Sequence, residues 1–156
     1  MSERAQFVTI GVAGEIFAAP ITRIREILDM RPIARIPWAP PQLLGMIDVR
    51  GAGVPVLDLR LMLGLPAEAD SESTRIVVLS FDDRGGTRTV GLRADRVFEV
   101  TVLDDEALDP PPAASAAGGS GAIAGIGRRN GSFVTVLDMD RLIGSLALPE
   151  AAPASA

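Results

Sequence analysis

Apolar and polar residues alternate at the start of the chain: Val8, Ile10 and Val12 fall on one face, Phe7, Thr9 and Gly11 on the other. A period of two predicts a half-buried strand, and Ala13-Gly14-Glu15 predicts the turn that ends it. Arg75 to Phe81 is a more continuously apolar strand running into the turn Asp82-Asp83-Arg84-Gly85-Gly86. Ile21, Ile24, Ile27 and Leu28 have helical spacing and predict a short helix. Apolar runs flank Arg50-Gly51-Ala52-Gly53 and again Asn130-Gly131, the signature of β-hairpins. Asp58 and Asp138 then stand where a carboxylate can accept the first free N–H groups of a helix, and Gly64 and Gly144 where such a helix would stop.

These elements recur. Gly45 to Gly64 aligns without a gap on Gly125 to Gly144 at an offset of 80, with seven identities: Gly45/Gly125, Gly51/Gly131, Val54/Val134, Val56/Val136, Leu57/Leu137, Asp58/Asp138 and Gly64/Gly144. Phe17 to Ile27 aligns on Val90 to Val100 at an offset of 73, placing Arg23-Ile24-Arg25-Glu26-Ile27 over Arg96-Val97-Phe98-Glu99-Val100. The growth in offset is what an extra loop in the second half would produce, and Pro110 to Gly121 supplies one. Two units of short strands, each too small for its own core, predict two small barrels packed together. A single domain over 7–146 follows, with approximate halves 7–66 and 75–146. The Pro/Ala/Gly/Ser-rich stretch 109–122 is expected to be a flexible loop, and 147–156 a disordered tail.

Composition narrows the chemistry. With 47% hydrophobic residues the chain can build a packed interior. It has no His, Cys or Tyr, and all of its basic residues are Arg. The usual general base, thiol nucleophile, phenol and Schiff-base or phosphate-loop lysine are thereby missing. A net charge of −5 argues against nucleic-acid binding. No apolar stretch suggests a signal peptide or direct membrane insertion, and a cytoplasmic protein is expected.

Several apparent motifs dissolve on inspection. Gly125-Ile-Gly-Arg-Arg-Asn-Gly enters a hairpin instead of opening a helix, so it is not a dinucleotide loop. Ser120 has no His to activate it. Asp104-Asp105-Glu106 with Asp109 reads as a solvated acidic turn, not a metal site. Trp38, within Ile36-Pro37-Trp38-Ala39-Pro40-Pro41, is expected to be a partly buried plug more than an interface anchor. Arg50 reads equally as a solvent-facing charge or as a functional contact.

The segments Phe7-Val-Thr-Ile-Gly, Gly14-Glu-Ile-Phe-Ala-Ala-Pro-Ile, Ile24-Arg-Glu-Ile, Pro37 to Gly51, Val54-Pro-Val-Leu-Asp-Leu-Arg60, Val90-Gly-Leu-Arg-Ala-Asp-Arg-Val97 and Val134-Thr-Val-Leu-Asp138 resemble the CheW-like domain family. The run from Ala39 to Arg60 is the most specific. The resemblance implies a mainly β fold of two SH3-like five-stranded β-barrel subdomains with short helices, and an adaptor that does no chemistry and needs no cofactor or metal. It implies two partners: the regulatory domain of a CheA-type histidine kinase, and the cytoplasmic tip of a chemoreceptor received in a groove between the barrels. Carried over by motif, the receptor-groove residues are Ile24, Glu26, Gly45 and Arg50 from one half and Gly91, Val97 and Val100 from the other; the kinase-binding residues are left unassigned. Recruitment to membrane-associated chemoreceptor arrays follows. A CheW-like adaptor of a related motility or sensory pathway is a close variant, and a carboxylate-dependent metal-binding barrel or enzyme the alternative from another class. Asp48 stands where the family commonly has Asn and is expected to pair with Arg50. Trp38 is bulkier than the usual residue. Both departures bear on receptor choice more than on fold.

Overall fold

A computed structural model describes residues 4–83, 85–111 and 121–144. Much of the expected flexible loop and all of the expected tail lie outside these residues. The chain forms β1 (Gln6–Val12), β2 (Glu15–Pro20), a 3-10 turn (Ile21–Arg23), β3 (Ile24–Asp29), β4 (Leu43–Val49), β5 (Ala52–Asp58), α1 (Leu59–Met62), β6 (Arg75–Asp83), β7 (Gly86–Ala94), β8 (Arg96–Val102), β9 (Ile123–Arg129), β10 (Ser132–Leu137) and α2 (Met139–Gly144).

Both hairpin turns form as their sequences predict. Arg50 and Gly51 have φ of 51° and 85°, and Asn130 and Gly131 have 50° and 83°, the paired positive values that match the twist of the flanking strands. A carboxylate braces each turn. Asp48 accepts the Gly51 N–H at 2.7 Å, and Asp104 accepts those of both Asn130 and Gly131 at 2.9 Å. The latter bonds, Gly131 first, hold the Asp104 carboxyl below the usual carboxylate range. Asp104 thus has a bracing role, and among the described residues no group of acidic side chains gathers as a metal would need.

The helix expected around Ile24 is instead a strand. Only Ile21–Arg23 turns, as a 3-10 segment, and β3 then pairs with β6. The helical spacing has a different cause. A β-bulge between Ile24 and Glu26 shifts the register, so that Ile24 lies opposite Leu79 and Ile27 opposite Val77. Residues three apart therefore share a face, as they would on a helix. In β8 a matching irregularity sets Val97 opposite Ile10 and Val100 opposite Val8.

The two sheets are not the two halves of the repeat. One has strand order β8-β1-β2-β10-β9 and the other β3-β6-β7-β5-β4. Each takes two strands from one half and three from the other, and replacing every strand of the first sheet by its repeat counterpart reproduces the order of the second. Neither half completes a sheet alone, so each sheet draws strands from both 7–66 and 75–146. Each sheet curls until the chain leaving one edge strand reaches the other edge. Ala34, beyond β3, exchanges two hydrogen bonds with Met46 in β4 (2.9 and 2.8 Å), and Asp109, beyond β8, does the same with Ile126 in β9 (2.9 and 2.8 Å). Asp109 is thereby anchored, as is Ala122, which is buried and whose carbonyl accepts the Asp138 N–H. The expected loop is tethered at both ends.

Three apolar clusters follow from this arrangement. Ile47, Val54, Val56, Ile76 and Val78 fill one curled sheet. Ala18, Leu103, Val134 and Val136 fill the other. The largest lies between the sheets, where Val8, Ile10 and Val12 of β1 share a cluster with their counterparts Val77, Leu79 and Phe81 of β6, closed over by Leu59 of α1 and Leu142 and Ile143 of α2. Asp58 caps α1 through the Arg60 N–H at 3.0 Å, and Asp138 caps α2 through the Arg141 N–H at 3.1 Å. Gly64, at φ 78°, ends the turn after α1, whereas Gly144 is the last residue of α2 itself.

Charged groups strap the crossover from α1 to β6. Arg60 holds Asp95 through two oxygens, at 2.9 and 3.0 Å, and also reaches Glu68 at 2.7 Å. The buried Arg93 holds Asp70 at 2.7 Å and the Glu68 carbonyl at 3.0 Å. At the counterpart position α2 is tied the opposite way round, with Arg23 on the 3-10 turn and Asp140 on the helix, 2.7 Å apart.

Candidate functional site

The seven residues expected to line one groove separate into three groups. Gly45 and Gly91 are buried. Their role is close approach. A Cβ at Gly45, φ 149°, would come within 2.1 Å of the Ala34 carbonyl oxygen, and one at Gly91 within 2.8 Å of Ile76. Gly125, the repeat counterpart of Gly45, faces the same constraint against Asp109 and Leu108. These glycines let the closing segment and the neighbouring strand pack.

Ile24, Val97 and Val100 form the second group. Ile24 and Val97 are half-buried against the cluster between the sheets. One step further along the same faces, Ile27 and Val100 are 42% and 48% exposed. The rim of the inter-sheet core is thus apolar on both edge strands, β3 and β8. Phe98 and Val102 extend the exposed apolar surface of β8.

Glu26 and Arg50 form the third group, on the other face of β3. They stand 2.5 Å apart at the edge of a groove of about 700 Å³. Its floor is Met46, Val49, Val54, Pro55 and Val78, at the mouth of the curled sheet, and Ile36 forms a wall. Asp48 does not pair with Arg50 as expected, because its carboxylate is committed to the Gly51 N–H. Arg50 keeps 72% of its side chain exposed while paired, so it can still meet a ligand. Arg25 and Arg88 complete a predominantly basic rim. Ile36 lines this groove and, like Ile24 and Val97, also packs on the inter-sheet core.

Two features escape a reading of the sequence. The groove floor comes from β4, β5 and β6, and its alternation gives no sign of which apolar face stays open. The equivalent place on the other sheet carries a second acid–arginine pair, Glu99 with Arg129. Its glutamate was visible in the repeat as the counterpart of Glu26, but its arginine sits one position before the counterpart of Arg50. Trp38 also departs from expectation. It is fully exposed, at φ 58°, and not a buried plug.

Residues 6–147 match the CheW-like domain family. The chain is 30% identical over 141 residues to the chemotaxis protein CheW of Helicobacter pylori, covering 90% of this chain and 82% of that one. It is 28% identical over 155 residues to the chemotaxis protein CheW of Treponema pallidum, covering 96% and 88%. Among solved structures, the scaffolding protein TtCheW from Thermoanaerobacter tengcongensis superposes with a TM-score of 0.79 at 25% identity, over 90% of this chain and 92% of that one.

Proposed function

The chain belongs to the CheW-like domain family, and on that premise we propose that it is a non-enzymatic adaptor that couples chemoreceptors to a CheA-type histidine kinase. The observation that carries this reading is the apolar groove with Arg50 and Glu26 at its edge, whose wall residue Ile36 packs on the same inter-sheet core as Ile24 and Val97. Receptor tips are helical hairpins, and a helix laid in a groove is held by apolar residues at successive turns. The apolar walls supply affinity in proportion to the area they bury, less the cost of association. Arg50 supplies orientation, since its planar fork can hold a carboxylate or backbone carbonyls of the helix and fix its register. The kinase contact is made through its regulatory domain, on a surface separate from this groove, so that both partners are held at once and the adaptor is drawn to receptor arrays at the membrane.

Titrating the chain with a receptor-tip hairpin, and separately with a CheA regulatory domain, tests this. Saturable binding of each, and of both together, is expected. Failure to bind either partner, or mutual exclusion of the two, would overturn the coupling role.

A further inference from the structure

Trp38 is a large apolar side chain placed fully in solvent, on a backbone that favours Asn or Gly. Its surroundings are fixed. Ile36 before it and Ala39 after it both pack on the inter-sheet core. Backbone bonds run from the Ala39 N–H to the Ile36 carbonyl at 3.4 Å and from the Leu43 N–H to the Pro40 carbonyl at 3.0 Å. Pro37, Pro40 and Pro41 limit the remaining freedom of the segment. The indole is therefore presented by a rigid support, which lowers the entropy lost when a partner covers it. Trp38 is two residues from Ile36, a wall of the groove, so its Cα lies within about 8 Å of that wall. Among the described residues the groove beside it is lined by the guanidinium groups of Arg25, Arg50 and Arg88 and by the carboxylate of Glu26.

We infer that Trp38 is a partner-selecting anchor. It covers the end of the apolar stripe of a helix lying in the groove, and the helix it accepts carries acidic residues beside that stripe, facing the arginine rim. The inference rests on the adaptor reading and adds to it the chemistry of the receptor helix that this chain takes. Tryptophan is among the residues most often responsible for interface affinity, and a charged rim selects partners by complementarity more than it adds affinity.

The chain has one Trp and no Tyr, so its intrinsic fluorescence reports residue 38 alone. The probes are a receptor-tip hairpin with acidic residues flanking its apolar stripe and the same hairpin with those acids changed to amides. Binding of the acidic hairpin should shift the emission to the blue, the amide version should bind more weakly, and Trp38→Ala should weaken binding by about tenfold or more with an unchanged unfolding midpoint. Binding without an emission change, or equal affinity of wild type and Trp38→Ala, would overturn the anchor while leaving the adaptor reading in place. Equal affinity for the two hairpins would overturn the acidic specificity. An emission shift with protein concentration alone would assign the surface to a second copy of this chain and overturn the inference. No binding of either hairpin would overturn both the anchor and the reading beneath it.

Discussion

Arg50 and Glu26 meet at 2.5 Å across the gap between a hairpin turn and an edge strand. Arg129 and Glu99 form the corresponding pair on the other sheet. The duplication shows that the pair belongs to the architecture: wherever the edge strand carries the glutamate, the facing hairpin carries an arginine. Only the copy at Arg50 borders the large apolar groove.

Because Arg50 is mostly exposed, the pair should add little to folding. Arg50→Glu is expected to change the free energy of unfolding by less than about 1 kcal/mol, and a double-mutant cycle with Glu26→Gln to give a coupling of similar size. Urea denaturation of the four proteins measures both.

Gly45 makes the opposite prediction. With Ala34 so close, Gly45→Ala must push the closing segment off β4, at a cost of about 3 kcal/mol or more. Thermal unfolding should show the loss, and partner binding should fall only as far as the folded fraction falls. A folded Gly45→Ala variant with selectively lost receptor affinity would instead give Gly45 a direct part in the binding surface.

Trp38 stands in a strained backbone with no packing to lose. Trp38→Asn should raise stability by about 0.5–1 kcal/mol. A clear decrease in the unfolding midpoint would show that the indole supports the loop.

Acid should loosen the strap around the crossover. Desolvation pushes the Asp95 carboxyl up, but the Arg60 hydrogen bonds, the Ala13 N–H and the neighbouring guanidinium charges outweigh it and hold it below the usual range. A lowered folded-state pKa gives stability that is present above the unfolded value of about 3.9 and is lost as pH falls through the lower folded one. Asp95→Asn should therefore cost about 1–2 kcal/mol at neutral pH and flatten the acid limb of a stability-against-pH curve. An unchanged limb would remove Asp95 from the linkage.

Local chemistry made much of this fold legible. Arg50-Gly51, Asn130-Gly131, Asp58 and Asp138 act within a few residues of themselves, and each forms the turn or cap its sequence implies. The repeat was legible too, down to the Glu26/Glu99 correspondence. β3 was misread because its bulge gives Ile24 and Ile27 one face, a spacing that a helix shares. The strand exchange between halves was not legible, because the same apolar alternation on β1 and β6 suits pairing within a half or across halves. The groove was only partly legible. Motif likeness placed Gly45 and Gly91 beside Arg50 in the sequence pattern, but whether a glycine faces a partner or a neighbouring strand depends on what lies across from it. Trp38 shows the same limit, since apolarity alone does not say which large side chain stays in solvent.

The most direct test of the coupling role is receptor-dependent kinase activity in a reconstituted mixture of CheA-type kinase, chemoreceptor and this chain. Phosphotransfer should rise with receptor only when the chain is present. Arg50→Glu should abolish that rise while binding the kinase regulatory domain with wild-type affinity and unfolding at the wild-type midpoint. Receptor control of the kinase without the chain, or full activation by Arg50→Glu, would contradict it.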